Sequence, residues 1–253
     1  MNPIKPSWPA PENVHVIVTT RHGGVSEAPY DTLNLGDHVG DQPSKVIANR
    51  QILQTLLPSE PFWLQQTHGI EVSTPTSRSE GSKNSIEADA AVSNMPYEVL
   101  VIMTADCLPV LFSSADGSVI GAAHAGWRGL WNGVLDNTVS EILKLDPHTR
   151  ATDLMVWMGP AIGPESFEVG EDVVGRFAEL GLHDLAKCFL PITHKPGKYL
   201  ADIYQLARDR LKAMGINSIY GGEFCTVKDR ERFFSYRRDG VTGRFASLIW
   251  IAK

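Results

Sequence analysis

The stretch between Met103 and Leu130 constrains the fold more than any other part of the chain, and its sequence is MTADCLPVLFSSADGSVIGAAHAGWRGL. It contains two apolar segments on either side of Asp116-Gly117. An Asp-Gly pair between such segments is a strong signal for a β-hairpin with a two-residue turn. A turn at that pair predicts an antiparallel hairpin in which Pro109 lies opposite His124.

The predicted register brings two reactive side chains together. Cys107 becomes the diagonal neighbour of His124, because side chains two residues apart on a strand share a face. Their backbones would lie about 7–8 Å apart, a distance that one small ion or one shared proton can bridge. The pair therefore has two open interpretations. Cys107 is either a metal ligand beside His124, or a nucleophile that His124 activates and a third polar group such as Asp106 orients.

A third candidate ligand is His68, which lies in the Thr67-His68-Gly69 segment after a short predicted strand. Two imidazoles and one thiolate leave a fourth coordination position open, which is typical of a catalytic zinc site. The three residues come from distant parts of the chain, so spacing alone favours the ordinary interpretation of a small buried cysteine and hydrogen-bonded histidines. The sequence contains no phosphate-binding loop, no H-E-x-x-H and no C-x-x-C.

Composition excludes several classes of protein. The formal net charge is −6 and no basic face is evident, which argues against nucleic acid as a partner. The longest apolar runs, such as Val99–Met103, are too short to cross a membrane. The N-terminal sequence lacks the apolar core of a signal peptide, so a cytoplasmic location is expected. Three widely spaced cysteines predict free thiols in such a compartment.

Hydrophobic periodicity elsewhere predicts short strands mixed with helices but no regular βαβ alternation, which favours an α+β fold with a mixed sheet. No linker or repeat divides the chain, so residues 1–253 are predicted to form one domain. Strands are predicted at 14–20, 62–66, 87–93, 99–104, 154–158, 218–221 and 245–251, helices at 45–57, 133–145 (with Asn132 as N-cap), 172–180 and 202–214, and an exposed loop at 74–85.

Two groups of residues are candidates for binding anions or planar rings. Arg21 and Arg50 could hold a phosphate together with the Gly23-Gly24 loop, where glycine allows close backbone approach. Phe234, Tyr236 and Arg237 combine aromatic faces with a guanidinium, which suits a base or a sugar. The ordinary alternative for this second group is a solvated charged loop with aromatic anchors.

Several of these segments, taken in order, resemble the YfiH/laccase-domain family. The resemblance spans residues 14 to 251. It rests on TTRHGGVS at 19–26, THG at 67–69, TADCLPVLF at 104–112, AAHAGWRGL at 122–130, MGPAIGP at 158–164 and FFSYRRDGVTGR at 233–244.

The resemblance implies a fold and a site. The fold would be a single-domain α/β sandwich with mixed β-sheets flanked by helices, related to a bacterial toxin cysteine-hydrolase fold. His68, Cys107 and His124 would form the metal-binding and catalytic trio, with zinc, or else copper, as the cofactor. Arg21, Arg50, Phe234, Tyr236 and Arg237 then become candidates for substrate and phosphate contacts.

The resemblance also implies an activity. The family is described as purine nucleoside phosphorylases, acting on adenosine, inosine, guanosine and methylthioadenosine, with adenosine deaminase activity. The partners would be a nucleoside and phosphate, and the chain a monomer or weak homodimer. Deamination needs a carboxylate to move protons, and Asp106, Glu168 and Asp89 are the candidates.

Three alternatives remain. An older description of the family is copper-dependent polyphenol oxidase, but eight histidines without an H-x-H pair suit several copper centres poorly. One cysteine with two histidines binds copper adventitiously, because copper outcompetes zinc for such ligands. A Cys–His hydrolase acting on a peptidoglycan precursor is the second alternative. A metal-binding scaffold that presents the Arg237–Arg238 loop to a partner is the third, and it would not turn nucleosides over.

Overall fold

The computed structural model describes residues 2–80, 86–181 and 184–253. Its strands are β1 (Val14–Val18), β2 (Leu64–Gln65), β3 (Val72–Ser73), β4 (Ile86–Glu87), β5 (Ala90–Ser93), β6 (Leu100–Thr104), β7 (Leu108–Ser114), β8 (Ile120–Ala125), β9 (Leu154–Met158), β10 (Glu168–Gly170), β11 (Phe189–Pro191), β12 (Lys198–Ala201), β13 (Ser218–Gly221) and β14 (Phe245–Ile251). Its helices are α1 (Pro43–Gln54), α2 (Pro75–Glu80), α3 (Trp127–Asn132), α4 (Val134–Leu145), α5 (Glu171–Ala178), α6 (Leu185–Cys188), α7 (Ile203–Ala213) and α8 (Tyr236–Asp239).

A six-stranded mixed sheet with the order β13-β9-β7-β8-β5-β3 forms the centre of the fold. Its β7 pairs antiparallel with both β8 and β9, whereas β9 pairs with β13, and β5 with β3, in parallel. A three-stranded antiparallel sheet, β1-β14-β6, lies against it, and β10-β12-β11 forms a separate small sheet. These mixed sheets with flanking helices confirm the expected fold class.

The two main sheets pack face to face, and helices cover the outer faces. Leu111 of β7 joins one apolar cluster with Ile102 of β6 and Phe245 of β14, which fills the space between the sheets. Val110 and Phe112 point the other way, into a cluster with α4 and α7. Both faces of β7 are therefore buried, which explains why its sequence is continuously apolar instead of alternating.

The hairpin register predicted from the sequence is confirmed, because Pro109 lies opposite His124. The loop is longer than the predicted two residues, because it runs from Ala115 to Ser118 between Ser114 and Val119. The Gly117 N–H donates to the Ser114 carbonyl at 3.1 Å, so Ala115 and Asp116 are the central residues of the turn that begins this loop. Gly117 follows with a φ of +70°, a value that suits glycine. The register survives because the Ser114 N–H still donates to the Val119 carbonyl.

Two other predictions are corrected. The predicted loop at 74–85 contains α2, where buried Arg78 forms an ion pair with Glu98 at 2.7 Å, while residues 81–85 lie outside the described part. Asn132 is the last residue of α3, not the N-cap of the next helix. Gly133 caps α4 instead, since its φ of +109° breaks two consecutive helices at a position where other residues would be strained.

The predicted helix at 202–214 corresponds to α7, and its N-cap offers a test of the local structure. The Asp202 carboxylate accepts the Gln205 N–H at 3.0 Å. We expect Asp202→Ala to lower the free energy of unfolding by about 1 kcal/mol, because the donor loses its partner. Urea denaturation monitored by circular dichroism measures this change. Glu12→Ala serves as the control for loss of one exposed acid, and equal stabilities of the two variants would contradict the capping role.

Across the described residues, no helix is both long and apolar enough to span a bilayer.

Candidate functional site

The predicted trio of His68, Cys107 and His124 comes together in the folded chain. One ligand atom from each residue lies within 4.8 Å of the others. Cys107 directly precedes β7, His124 lies in β8, and His68 lies in the loop between β2 and β3. Two of the backbone positions are unusual, since His68 has a φ of +62° and Asp106, next to Cys107, has a φ of +101°. Such left-handed conformations in residues other than glycine tend to occur at functional sites.

The spacing of the ligand atoms fits a tetrahedral metal ion. The Cys107 Sγ lies 3.6 Å from the His68 Nε2. Zinc bonds of about 2.3 Å to sulfur and about 2.0–2.1 Å to nitrogen, at a tetrahedral angle, would separate these two atoms by about 3.5–3.6 Å. The Cys107 and His68 ligand atoms are therefore spaced to share one metal ion, and a set of three ligands leaves a fourth coordination position open.

The buried carboxylate of Asp89 contacts the segments that carry both histidines. It accepts a hydrogen bond from the His124 Nδ1 at 2.7 Å, so that nitrogen carries the proton and Nε2 remains free to bind a metal. The same carboxylate accepts the backbone N–H groups of Thr67, His68 and Gly69 at 3.0, 3.0 and 2.6 Å. Asp89 thus orients one imidazole directly and fixes the loop that carries the other.

The thiol of Cys107 is poised to lose its proton. Burial alone would raise the pKa of Cys107, but His124 and His68 lower it to about 6. Burial would lower the pKa of His124, whereas Cys107 and Asp89 raise it to about 9. Without a metal, a thiolate beside an imidazolium is thus favoured near neutral pH. Both the ligand and the nucleophile interpretations require this thiolate.

Gly126 allows the cluster to close. A Cβ atom at this position would lie 2.9 Å from the His68 Cδ2 and 3.0 Å from the Cys107 Sγ. Contacts that short would push one or both side chains aside, so glycine at this position leaves both ligands where they are. The position directly follows β8 and begins the turn into α3.

A cavity of about 610 Å³ lies beside the cluster. Its volume is typical of small-molecule sites, which combine apolar walls with a few polar groups. Of the predicted substrate residues, Tyr236 and Arg237 line it. His38, Trp127, Arg128 and Arg244 also line it. No local pattern in the sequence singles them out, although Trp127, Arg128 and Arg244 lie within the family motifs. The remaining lining residues are Gln66, Met103, Thr104, Ala105, Asp106, Ile162, Phe167 and Ile203.

The other predicted contacts lie outside this lining. Arg21 pairs with Asp31 at 3.2 Å, and its guanidinium covers the ring of Phe234, which is completely buried. Arg50 lines a neighbouring cavity, where it pairs with Asp37 at 3.2 Å and stacks 4.0 Å from the Trp63 ring centre. The structure therefore does not bring these three residues to the metal cluster.

The three candidate carboxylates also separate. Asp89 is committed to His124 and the backbone of the His68 loop, and Glu168 pairs with Lys195 at 2.7 Å. Asp106 lines the cavity. Its Oδ1 accepts from the Thr226 hydroxyl at 2.5 Å and its Oδ2 from the Arg237 N–H at 2.6 Å. Asp106 is thus the one of the three that is placed to meet a substrate.

Known proteins match this sequence over nearly its full length. A family model described as multi-copper polyphenol oxidoreductase laccase matches residues 15–252. A Haemophilus influenzae protein named purine nucleoside phosphorylase is 49% identical over 253 residues, 99% of each chain. Purine nucleoside phosphorylase YfiH of Escherichia coli is 49% identical over 250 residues, 98% of each chain.

Two solved structures resemble the fold closely. The crystal structure of Neisseria meningitidis protein NMB0706 matches with a TM-score of 0.91 and 45% identity, covering 100% of both chains. YlmD from Geobacillus stearothermophilus matches with a TM-score of 0.89 and 30% identity, over 100% of this chain and 97% of that one.

Proposed function

The chain belongs to the laccase-domain family that includes YfiH, and on that premise we propose that it is a metal-dependent purine nucleoside phosphorylase. The observation that carries this proposal is the His68–Cys107–His124 cluster beside a cavity of about 610 Å³. Relatives with 49% identity and nearly full coverage are named for the same activity. Adenosine, inosine, guanosine and methylthioadenosine are the proposed substrates.

Zinc is the metal that we propose for the cluster, because two imidazoles and one thiolate with an open fourth position match its catalytic sites. Copper binds the same donors and is the alternative. When bound, the ion would supply Lewis-acid chemistry at the open position. The chain's own contribution is a deprotonated Cys107 and an Asp89 that holds His124 in one tautomer.

Phosphorolysis asks three things of the protein. It must place phosphate against the anomeric carbon of the sugar, hold the purine, and supply a proton to the departing base. Met103, Ile162 and Phe167 offer an apolar wall for the purine. Asp106 is our candidate for holding the proton, because it lines the cavity and each of its oxygens accepts only one hydrogen bond, which leaves a lone pair for a proton.

Adenosine deamination is the second proposed activity. It is supported by the open fourth position of the cluster and by a carboxylate, Asp106, on the wall of the same cavity. Because the purine would occupy the same cavity in both reactions, adenosine should compete with inosine. That competition is expected even without deamination, because adenosine is also a proposed phosphorolysis substrate, so formation of inosine and ammonia from adenosine in phosphate-free buffer is the measurement that tests deamination.

The oxidase description fits the residues less well. Multicopper oxidation requires several copper centres, whereas within the described residues His68, Cys107 and His124 form the one group of three or more metal ligands. Oxidation of a polyphenol by a copper-loaded sample, without nucleoside turnover, would favour the oxidase instead. A hydrolase that uses the Cys107 thiolate as its nucleophile is the other alternative. It is distinguished by removing the metal, because such a hydrolase would stay active without it.

The proposed activity is tested by incubating the metal-loaded protein with inosine and inorganic phosphate. Chromatography should show hypoxanthine and ribose-1-phosphate in equal amounts. Zinc binding without any nucleoside turnover would overturn the proposal and favour the scaffold interpretation. Free ribose in place of ribose-1-phosphate would identify hydrolysis.

Removing phosphate provides a further prediction. In phosphate-free buffer, base release from inosine should stop, because the attacking group is missing, while deamination of adenosine should continue. Chromatography of both reactions, with and without phosphate, measures the difference. Unchanged release of hypoxanthine without phosphate would contradict the phosphorylase assignment, and the adenosine reaction controls for loss of active protein.

A further inference from the structure

We propose that inorganic phosphate binds in the metal cavity through the guanidinium groups of Arg244 and Arg237, and not at Arg21 and Arg50. This inference rests on the proposed phosphorolysis and names the residues that position its second substrate. Arg128, at the exposed edge of the same cavity, adds a third positive charge.

The arginines of the two regions differ in whether a carboxylate pairs with them. Arg21 and Arg50 already have carboxylate partners, Asp31 and Asp37. Among the described residues, no carboxylate lies within ion-pair distance of the three arginines that line the metal cavity, Arg128, Arg237 and Arg244. Arg244 is half-buried, whereas Arg128 and Arg237 are exposed. Partial burial of the Arg244 charge without a counterion is costly, so this side of the cavity favours an anion as its occupant.

Arg244 is the best-placed of the three. Its backbone N–H donates to the Asn34 side chain at 2.9 Å, and its Nη1 donates to the carbonyls of Thr242 and Gly243, both at 3.1 Å. These bonds hold the side chain while Nε and Nη2 have no partner among the described residues. A Cβ on Gly36 would lie 2.8 Å from the Arg244 Cγ, so this glycine makes room for the arginine.

Arg244 lines the same cavity as Cys107, Asp106 and Tyr236, and their charges act on its guanidinium. Burial lowers the pKa of Arg244, while Cys107, Asp106 and Tyr236 act in the opposite direction. The guanidinium therefore lies within electrostatic reach of a cluster residue and of two lining residues. An anion bound to it would share the cavity that His68, Cys107 and His124 also line.

Arg237 approaches the same cavity from α8. Its Nη1 donates to the Glu168 carbonyl at 3.0 Å, and its guanidinium lies 5.6 Å from the Phe167 ring centre. Nε and Nη2 again have no partner among the described residues. A planar guanidinium with two free N–H groups matches the oxygens of a phosphate in a bidentate manner.

Asp106 is the one carboxylate in the lining that would oppose an anion. Both of its oxygens already accept hydrogen bonds, from Thr226 and from the Arg237 backbone. The same contact fixes Arg237 at the start of α8, so Asp106 positions the phosphate-binding residue.

The test compares Arg244→Gln and Arg237→Gln with the wild type in inosine phosphorolysis. The KM for inorganic phosphate should rise about 10- to 100-fold in each, the usual effect of losing charge-assisted hydrogen bonds, while the KM for inosine changes much less. Arg244→Lys keeps the charge but loses the planar fork, so its phosphate KM should be intermediate. Arg176→Gln removes an exposed charge from α5, outside the cavity, and should behave as the wild type.

Isothermal titration of the metal-loaded protein with inorganic phosphate alone separates this site from the proposed function. Phosphate binding that Arg244→Gln weakens, without any phosphorolysis, would support the site and refute the function. Phosphorolysis with an unchanged phosphate KM in both glutamine variants, or a larger increase in Arg21→Gln, would overturn the site. Neither phosphate binding nor phosphorolysis in the wild type would overturn both. If circular dichroism shows that Arg244→Gln is unfolded, the phosphate KM values of Arg237→Gln and Arg244→Lys test the site instead.

Discussion

Replacing Cys107 by serine should remove the bound metal and abolish base release together. Cys107 offers a thiolate at neutral pH because its neighbours lower its pKa to about 6, and serine offers only a neutral hydroxyl. Loss of a direct ligand should reduce metal affinity by more than the about 10- to 100-fold expected from loss of a ligand's hydrogen-bond partner. Elemental analysis and chromatography of inosine phosphorolysis measure the two losses on the same sample.

The matched control is Cys225→Ser. Cys225 is a free thiol outside the cluster, where its sulfur accepts the Gly163 N–H at 3.3 Å. This variant should keep both the metal and the activity. His124→Ala should reproduce the loss seen with Cys107→Ser, since it removes a second ligand.

One outcome would contradict the role of Cys107 as a metal ligand. If wild-type protein stripped of metal by a chelator turns over inosine at the full rate, while Cys107→Ser does not, then Cys107 acts as a nucleophile. The low pKa of Cys107 and its contact with the histidines are compatible with that chemistry, so the metal-free measurement is the one that decides.

Asp89→Asn should lower the affinity for the metal by about 10- to 100-fold, although Asp89 itself is not a ligand. Its carboxylate accepts five hydrogen bonds, one from His124, three from the backbone of the His68 loop and one from the Thr67 hydroxyl. Asparagine has a single acceptor oxygen, and its NH2 group would face donors. Buried donors left without partners cost about 1–3 kcal/mol each, so stability should fall as well.

Competition with a chromogenic chelator measures the affinity, and urea denaturation of the metal-free protein measures the stability separately. Asp116→Asn is the control, because Asp116 also accepts several hydrogen bonds but lies in the hairpin turn, away from the cluster. An unchanged metal affinity in Asp89→Asn would show that the two imidazoles hold their positions without this carboxylate.

The long hairpin of β7 and β8 holds the metal cluster together. Both strands are fully buried, and Pro109 lies opposite His124, so Cys107 and His124 are fixed relative to each other. Asp89, next to β5, then connects this hairpin to the His68 loop. The site is thus built on strands at its centre and on loops at its edge, with one buried carboxylate joining the two.

The sequence alone determined the parts that depend on local periodicity. Apolar segments on either side of Asp116-Gly117 predicted the hairpin and its register, and apolar residues at helical spacing predicted α4 and α7. Local signals failed where a helix is short or packs through few residues, as in α2 and α3. The length of the hairpin loop was also missed, because the Asp116 side chain and Gly117 together favour a longer loop.

Tertiary structure alone decided which charged and polar residues share the cavity. Arg21, Arg50, Arg237 and Arg244 are equivalent as guanidiniums in the sequence, and only the folded chain shows which of them carboxylates already neutralise. The role of Asp89 likewise depends on contacts between segments about 20 and 35 residues apart. Periodicity reports which face of an element is buried, but partners across the fold are set by how the sheets and loops pack, which no local pattern records.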